Sequence, residues 1–110
     1  MEVSFASAKL QKVCNTQQNM VKAYGPDCAK RLAERLQTMT RVETASELLD
    51  GLPGRWHPLR ANLSGHLSAD LKHPLRLIVR PLDGAESESG IDWATVSKVE
   101  VVEITDTHEG

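Results

Sequence analysis

Six residues of this chain have the types needed to do chemistry together: His57, Arg60, Arg76, Arg80, Asp106 and His108. An imidazole takes or gives a proton near neutral pH, and a guanidinium holds phosphate oxygens. Cutting RNA without a metal needs those abilities. A base takes the proton from a ribose 2′-OH, an acid protonates the departing 5′ oxygen, and cations stabilise the extra charge on phosphorus. Asp106 and His108 stand two apart, so a continued strand would point both to one side, with Thr107 opposite.

Each residue also has a quieter reading. Taken singly, His57 is a surface histidine before Pro58, Arg60 a solvated charge, and Asp106 and His108 parts of a terminal segment, where order is usually lost. Arg76 faces Asp70 across a hairpin, and an exposed pair of that kind contributes only about 0.2–1 kcal/mol. Stability therefore does not require an arginine there, which leaves room for a functional role. His66 and His73 read as surface and turn residues, and Trp56 and Trp93 as packing anchors. Aromatic residues make up 4% of the chain, too few for an aromatic platform that stacks single-stranded bases.

The elements that would position these groups are legible from periodicity. Glu2–Ala6 alternates as a short opening strand, and Ser7 is suited to cap the helix that follows. Leu10, Val13, Cys14, Met20, Val21 and Tyr24 mark one apolar stripe over residues 8–24. Gly25 and Pro26 stop that helix and start a second, over about 26–40, with Cys28, Leu32, Leu36 and Met39 inward and Lys30, Arg31, Glu34 and Arg35 outward. The two should form an antiparallel hairpin. Thr44 and Glu47 have the spacing of a capping box that opens a short helical turn, ended by Gly51, Pro53 and Gly54.

The second half reads as strands. Trp56–Arg60 is an irregular edge strand containing Pro58. Leu67, Ala69 and Leu71 should meet Val79, Leu77 and Leu75 on the core side of a hairpin turning at Lys72–Pro74. Asp70–Arg76, Ser68–Ile78 and His66–Arg80 then fall on the opposite face. Residues 82–97 read as an acidic loop fixed by Ile91 and Trp93, Lys98–Ile104 as the last strand, and Thr105–Gly110 as a tail. The expected class is α+β: an N-terminal strand and a helical hairpin packed on a C-terminal antiparallel sheet, in a single domain over residues 1–110.

Composition is that of an ordinary soluble globular domain, with 40% hydrophobic and 25% charged residues. No segment approaches a membrane span and the N-terminus lacks a signal-peptide pattern, so a cytoplasmic location is expected. Cys14 and Cys28 lack metal-ligand spacing. On a helical hairpin their sulfurs would lie on the order of 15 Å apart, so reduced thiols are expected. The net charge of -2 conceals an asymmetry. Residues 1–80 carry 12 basic and 7 acidic side chains, whereas residues 81–110 carry 1 and 8. A basic body can meet phosphate, and the acidic segment must point elsewhere for it to do so.

Three segments, read together, carry a family resemblance: His57-Pro58-Leu59-Arg60, Leu75-Arg76-Leu77-Ile78, and Glu103-Ile104-Thr105-Asp106-Thr107-His108. The chain resembles the HigB toxins of the RelE/ParE superfamily over nearly its whole length. The resemblance implies a RelE-like sandwich that enters the ribosomal A site and cleaves mRNA. His57 and His108 would be acid and base, Asp106 would assist, and Arg76 would stabilise the phosphate. Arg60, Arg80 and Thr107 would bind substrate. It implies no metal or organic cofactor, and a HigA-type helix-turn-helix antitoxin through which alone operator DNA is bound. The family often ends Asp-Tyr-His, and here Thr107 takes the place of the tyrosine. A ParE-like gyrase inhibitor without chemistry, or a decayed toxin that only binds antitoxin and operator, are the alternatives.

Overall fold

A computed structural model describes residues 1–106 of the chain. Strand β1 (Glu2–Phe5) leads into helices α1 (Ala8–Cys14), α2 (Gln17–Tyr24) and α3 (Pro26–Arg41), then the short α4 (Ala45–Leu48). Strands β2 (His57–Pro58), β3 (Leu67–Asp70) and β4 (Leu75–Pro81) follow. A two-strand hairpin of β5 (Ala85–Ser87) and β6 (Gly90–Asp92) precedes the long β7 (Lys98–Asp106). The expected α+β sandwich is the observed one.

The helix starts and stops obey local chemistry. The Ser7 hydroxyl accepts from the Leu10 N–H at 3.1 Å. Gly25 has φ +85°, and Pro26 opens α3 with a nitrogen that has no hydrogen to leave unpaired. The capping box is present: the Glu47 carboxylate accepts from the N–H groups of Thr44 and Glu43 at 3.0 and 2.7 Å. These bonds hold its pKa below the usual carboxylate value. The helix expected over residues 8–24 is instead two. Thr16 is extended and its hydroxyl caps Asn19, while the Asn19 amide reaches back to the Lys12 carbonyl at 3.0 Å. Asn and Thr compete with the helix through such local bonds, and here they win.

The five-stranded sheet runs β1-β7-β4-β3-β2. Its β3–β4 register is the one the alternation dictates: Leu67 opposite Val79, Ser68 opposite Ile78, Ala69 opposite Leu77, and Asp70 opposite Arg76. The ladder begins at Leu67, so the anticipated His66–Arg80 pair does not form. The His66 backbone bonds to Leu59 and Leu63 instead. β7 is longer than expected and takes in Thr105 and Asp106, while β1 lies parallel to it at one edge. β2 is only two residues long, at the other edge. The acidic segment expected as loop contains the β5–β6 hairpin, and Ile91 and Trp93 do pack it against the core.

One face of the sheet is sealed by the helices: Leu67, Ala69, Leu77, Val79, Val99 and Val101 meet Cys28, Leu32, Met39 and Leu48. Cys14 and Cys28 are both free thiols. Burial pushes the Cys14 thiol up to about 11. Arg35, expected on the outer side of its helix, is buried, with 7% of its surface exposed. It stands in line with Cys28, Leu32 and Met39, a stripe of alternating four- and three-residue steps that the sequence contains.

Candidate functional site

The sheet face away from the helices carries His57 and Arg76, two of the candidate residues. Residues directly opposite in paired strands share a face, so His57, Ser68, Ile78 and Glu103 form one row across β2, β3, β4 and β7. The next row is Asp70, Arg76 and Thr105. Strand spacing and rise put the Cα atoms of His57 and Arg76 on the order of 12 Å apart. Their long side chains can therefore meet one small group between them. Ser68 and Ile78 lie fully buried in the floor of this face.

His57 is held in a defined state. Its Nδ1 lies 2.9 Å from the Arg55 carbonyl oxygen. A carbonyl can only accept, so Nδ1 carries a proton, and whenever the ring is neutral Nε2 is its acceptor. That is the form a general base requires. Arg55 supplies this carbonyl from a left-handed backbone with φ 51°. The histidine is therefore aimed by a turn, since β2 gives it only a two-residue ladder.

Asp70 is the hub beside it. Its carboxylate lies 3.6 Å from Arg76 Nε and 3.7 Å from Arg55 Nε. Both distances exceed those of a tight charge-assisted hydrogen bond, so the contacts orient the guanidinium groups loosely. The backbone of Asp70 is fixed from two sides. Its N–H donates to the Gly54 carbonyl at 2.7 Å, and its carbonyl accepts from Arg35 Nε at 3.0 Å. Arg35 is in turn pressed against Gly54: a Cβ there would sit 2.6 Å from Arg35 Nε. The buried arginine, the glycine and the aspartate thus form one support under Arg55 and Arg76. In the sequence Asp70 reads only as a pairing partner, and nothing there marks a role for Arg55 or Arg35.

The other expected site residues are distributed as follows. Arg60 is exposed, just after β2, where its backbone begins the 3-10 turn Ala61–Leu63. Arg80 shares the face of Arg76 but stands four residues along β4, and its Nε donates to Glu100 at 2.7 Å, which offsets its charge. Asp106 lies opposite Leu75, one residue beyond the Arg76–Thr105 pair, so the pleat sets it on the other side from Arg76. Thr107 and His108 lie outside the described residues. Among the described residues, no group of three or more His, Cys, Asp or Glu side chains could hold a metal ion. No helix among them is long and apolar enough to cross a membrane.

The Asp70 hub opens onto a cavity of about 470 Å³ at the β3–β4 turn, walled by Arg31, Arg55, Lys72, His73 and Arg76. At its rim Lys72 Nζ donates to Asp27 at 3.0 Å. That bond, with the lysine charge behind it, lowers the Asp27 pKa.

No protein-family model matches the sequence, and no curated protein matches it. Solved structures do share its fold. A YoeB/ParE toxin from Agrobacterium tumefaciens is 13% identical with a TM-score of 0.60, the match covering 98% of this chain and 100% of that one. The YoeB-YefM complex from Staphylococcus aureus gives 17% identity and a TM-score of 0.58, over 99% of this chain and 98% of the other. The YoeB dimer from the same organism gives 15% and 0.56 over the same shares. The chain shares the fold of these structures over nearly its whole length.

Proposed function

We propose that this chain is the toxin of a type II toxin–antitoxin pair and that it cuts mRNA on the ribosome, as a HigB-type member of the RelE/ParE superfamily. The observation that carries the reading is the placement of His57: its Nδ1 is bonded to the Arg55 carbonyl, on the sheet face that also carries Arg76. In this scheme His57 Nε2 takes the proton of a ribose 2′-OH. The 2′ oxygen attacks the adjacent phosphorus, the bond to the 5′ oxygen breaks, and the products are a 2′,3′-cyclic phosphate and a 5′-OH end. Arg76 and Arg55 stabilise the non-bridging oxygens as charge builds. His108 is assigned as the acid that protonates the leaving oxygen; Asp106, which the pleat sets on the side away from Arg76, is given no direct part in this step. Arg60 and Thr107 bind the strand, and Arg80, offset by Glu100, contributes less.

The partner side of the reading rests on likeness. A Staphylococcus aureus protein with this fold was solved in a complex with YefM, and the sequence resemblance points to a HigA-type antitoxin that bridges to operator DNA. A ribosomal substrate places the protein in the cytoplasm. Induction in a bacterial host tests the activity. Wild type should arrest growth, and His57→Ala, Arg76→Ala and His108→Ala should relieve the arrest. Arrest by all three variants would overturn this assignment of the site, and a DNA-damage response with transcripts intact would replace the reading with gyrase poisoning.

A further inference from the structure

We infer that the cavity at the β3–β4 turn is a second phosphate seat, one that takes the backbone of the RNA strand flanking the bond to be cut. The inference rests on the proposed nuclease reading for the identity of the strand, and on the cavity itself for the chemistry. Four elements converge there. Arg31 comes from α3, Arg55 from the turn before β2, Lys72 and His73 from the β3–β4 turn, and Arg76 from β4. Among the described residues, four permanent cations and an imidazole surround a space of about 470 Å³, and the one carboxylate in its lining is Asp70. Asp27 at the rim engages Lys72.

Two features point to a phosphodiester. First, Arg76 lines this cavity and also stands on the His57 face, so a strand with one phosphate near His57 runs directly into it. Second, the cations are reachable by an incoming anion. The Arg55 side chain is 88% exposed and meets Asp70 only through Nε at 3.7 Å. The Lys72 side chain is 57% exposed, and a phosphate would share it with Asp27, its present partner at 3.0 Å. The Asp70 backbone is bonded on both sides, to Gly54 and Arg35, so the residue is anchored at this edge of the cavity. Its carboxylate draws the two guanidinium groups loosely to one side, which leaves the Arg31–Lys72–His73 side for the phosphate.

The test titrates the full chain with a single-stranded RNA decamer, fully 2′-O-methylated so that it lacks the attacking hydroxyl, across a salt series. A 2′-O-methylated dinucleotide with one phosphate serves as comparison. The double variant Arg31→Ala/Lys72→Ala should weaken decamer binding about tenfold and make the salt dependence shallower by about 0.7 in log–log slope for each phosphate that is no longer neutralised. Dinucleotide binding should be unchanged, because the His57–Arg76 seat is intact. Asp70→Asn, which replaces the lining carboxylate with little change of shape, should tighten the decamer. Unchanged decamer affinity and slope in the double variant, equal losses for decamer and dinucleotide, or no decamer binding by wild type would each overturn the seat. If the seat binds as described but the wild-type protein leaves ribosome-bound transcripts intact, the nuclease reading fails and the seat stands.

Discussion

Replacing Gly54 with alanine should be among the most disruptive single-methyl changes available in this chain, and the structure says how the damage divides. Gly54 has φ +117°, a conformation that costs a side-chain-bearing residue on the order of 1–3 kcal/mol. The added Cβ would also stand 2.6 Å from Arg35 Nε and 2.8 Å from its Cδ, so the buried arginine must withdraw. Withdrawal breaks the bond from Arg35 Nε to the Asp70 carbonyl, and a hydrogen bond from a charged group is worth about 1.5–3 kcal/mol. The two losses together come to about 2.5–6 kcal/mol, a large share of the stability of a domain this size. The division can be measured by urea unfolding of Gly54→Ala, Arg35→Ala and the double variant. With Arg35 already gone, alanine at 54 costs the backbone strain and a 3.1 Å approach to Trp56 Nε1 but no longer the arginine's bond, so the cycle should show a coupling of about 1.5–3 kcal/mol. Additive costs, within about 0.5 kcal/mol, would refute the claim that Gly54 is small in order to make room for the arginine that supports Asp70.

Other consequences are simpler to read. The Ser68 hydroxyl is fully buried and has no hydrogen-bond partner among the described residues. Ser68→Ala should therefore stabilise the fold by about 1 kcal/mol in thermal unfolding, and a clear loss of stability would show that the hydroxyl is satisfied after all. The Asp83 carboxylate accepts from the Ser97 hydroxyl and from the N–H groups of Ser97 and Lys98, which holds its pKa below the ordinary 3.8. Its contribution is complete above that value and is lost as pH falls through the lowered one. Asp83→Asn should accordingly flatten the acid side of a stability–pH profile below about pH 4, and an unchanged profile would discount the latch. With its thiol pushed up to about 11, Cys14 should react slowly with a disulfide reagent at about pH 8; a rate like that of a free thiol would contradict its burial.

The parts of this fold set by short-range rules were legible before the structure. Alternation gave the β3–β4 register residue by residue, because one slip would have turned Leu67, Ala69 and Leu77 to the wrong face. Ser7, Gly25–Pro26 and Thr44–Glu47 announced their caps. What stayed hidden depends on long-range packing or rare backbone geometry. The break at Thr16 was outweighed in the sequence by an apolar stripe running through both halves. The inward turn of Arg35 was masked by its charge, although its spacing from Leu32 and Met39 fits the buried stripe. The role of Arg55 needs a positive φ that nothing in its residue type foretells. His57 and Arg76 were found by type and do share a face. Asp106, expected beside them, is carried past by the pleat of β7.

The central claim is that His57 and Arg76 serve one cleavage reaction on this face. Adding purified protein to a translating extract and mapping mRNA ends by primer extension tests it most directly, with chemical analysis of the upstream fragment. The account predicts new 5′ ends in transcripts engaged by ribosomes, upstream fragments ending in 2′,3′-cyclic phosphate, and loss of both with His57→Ala and with Arg76→Ala. Cutting that persists at the wild-type rate in the His57→Ala protein would contradict it.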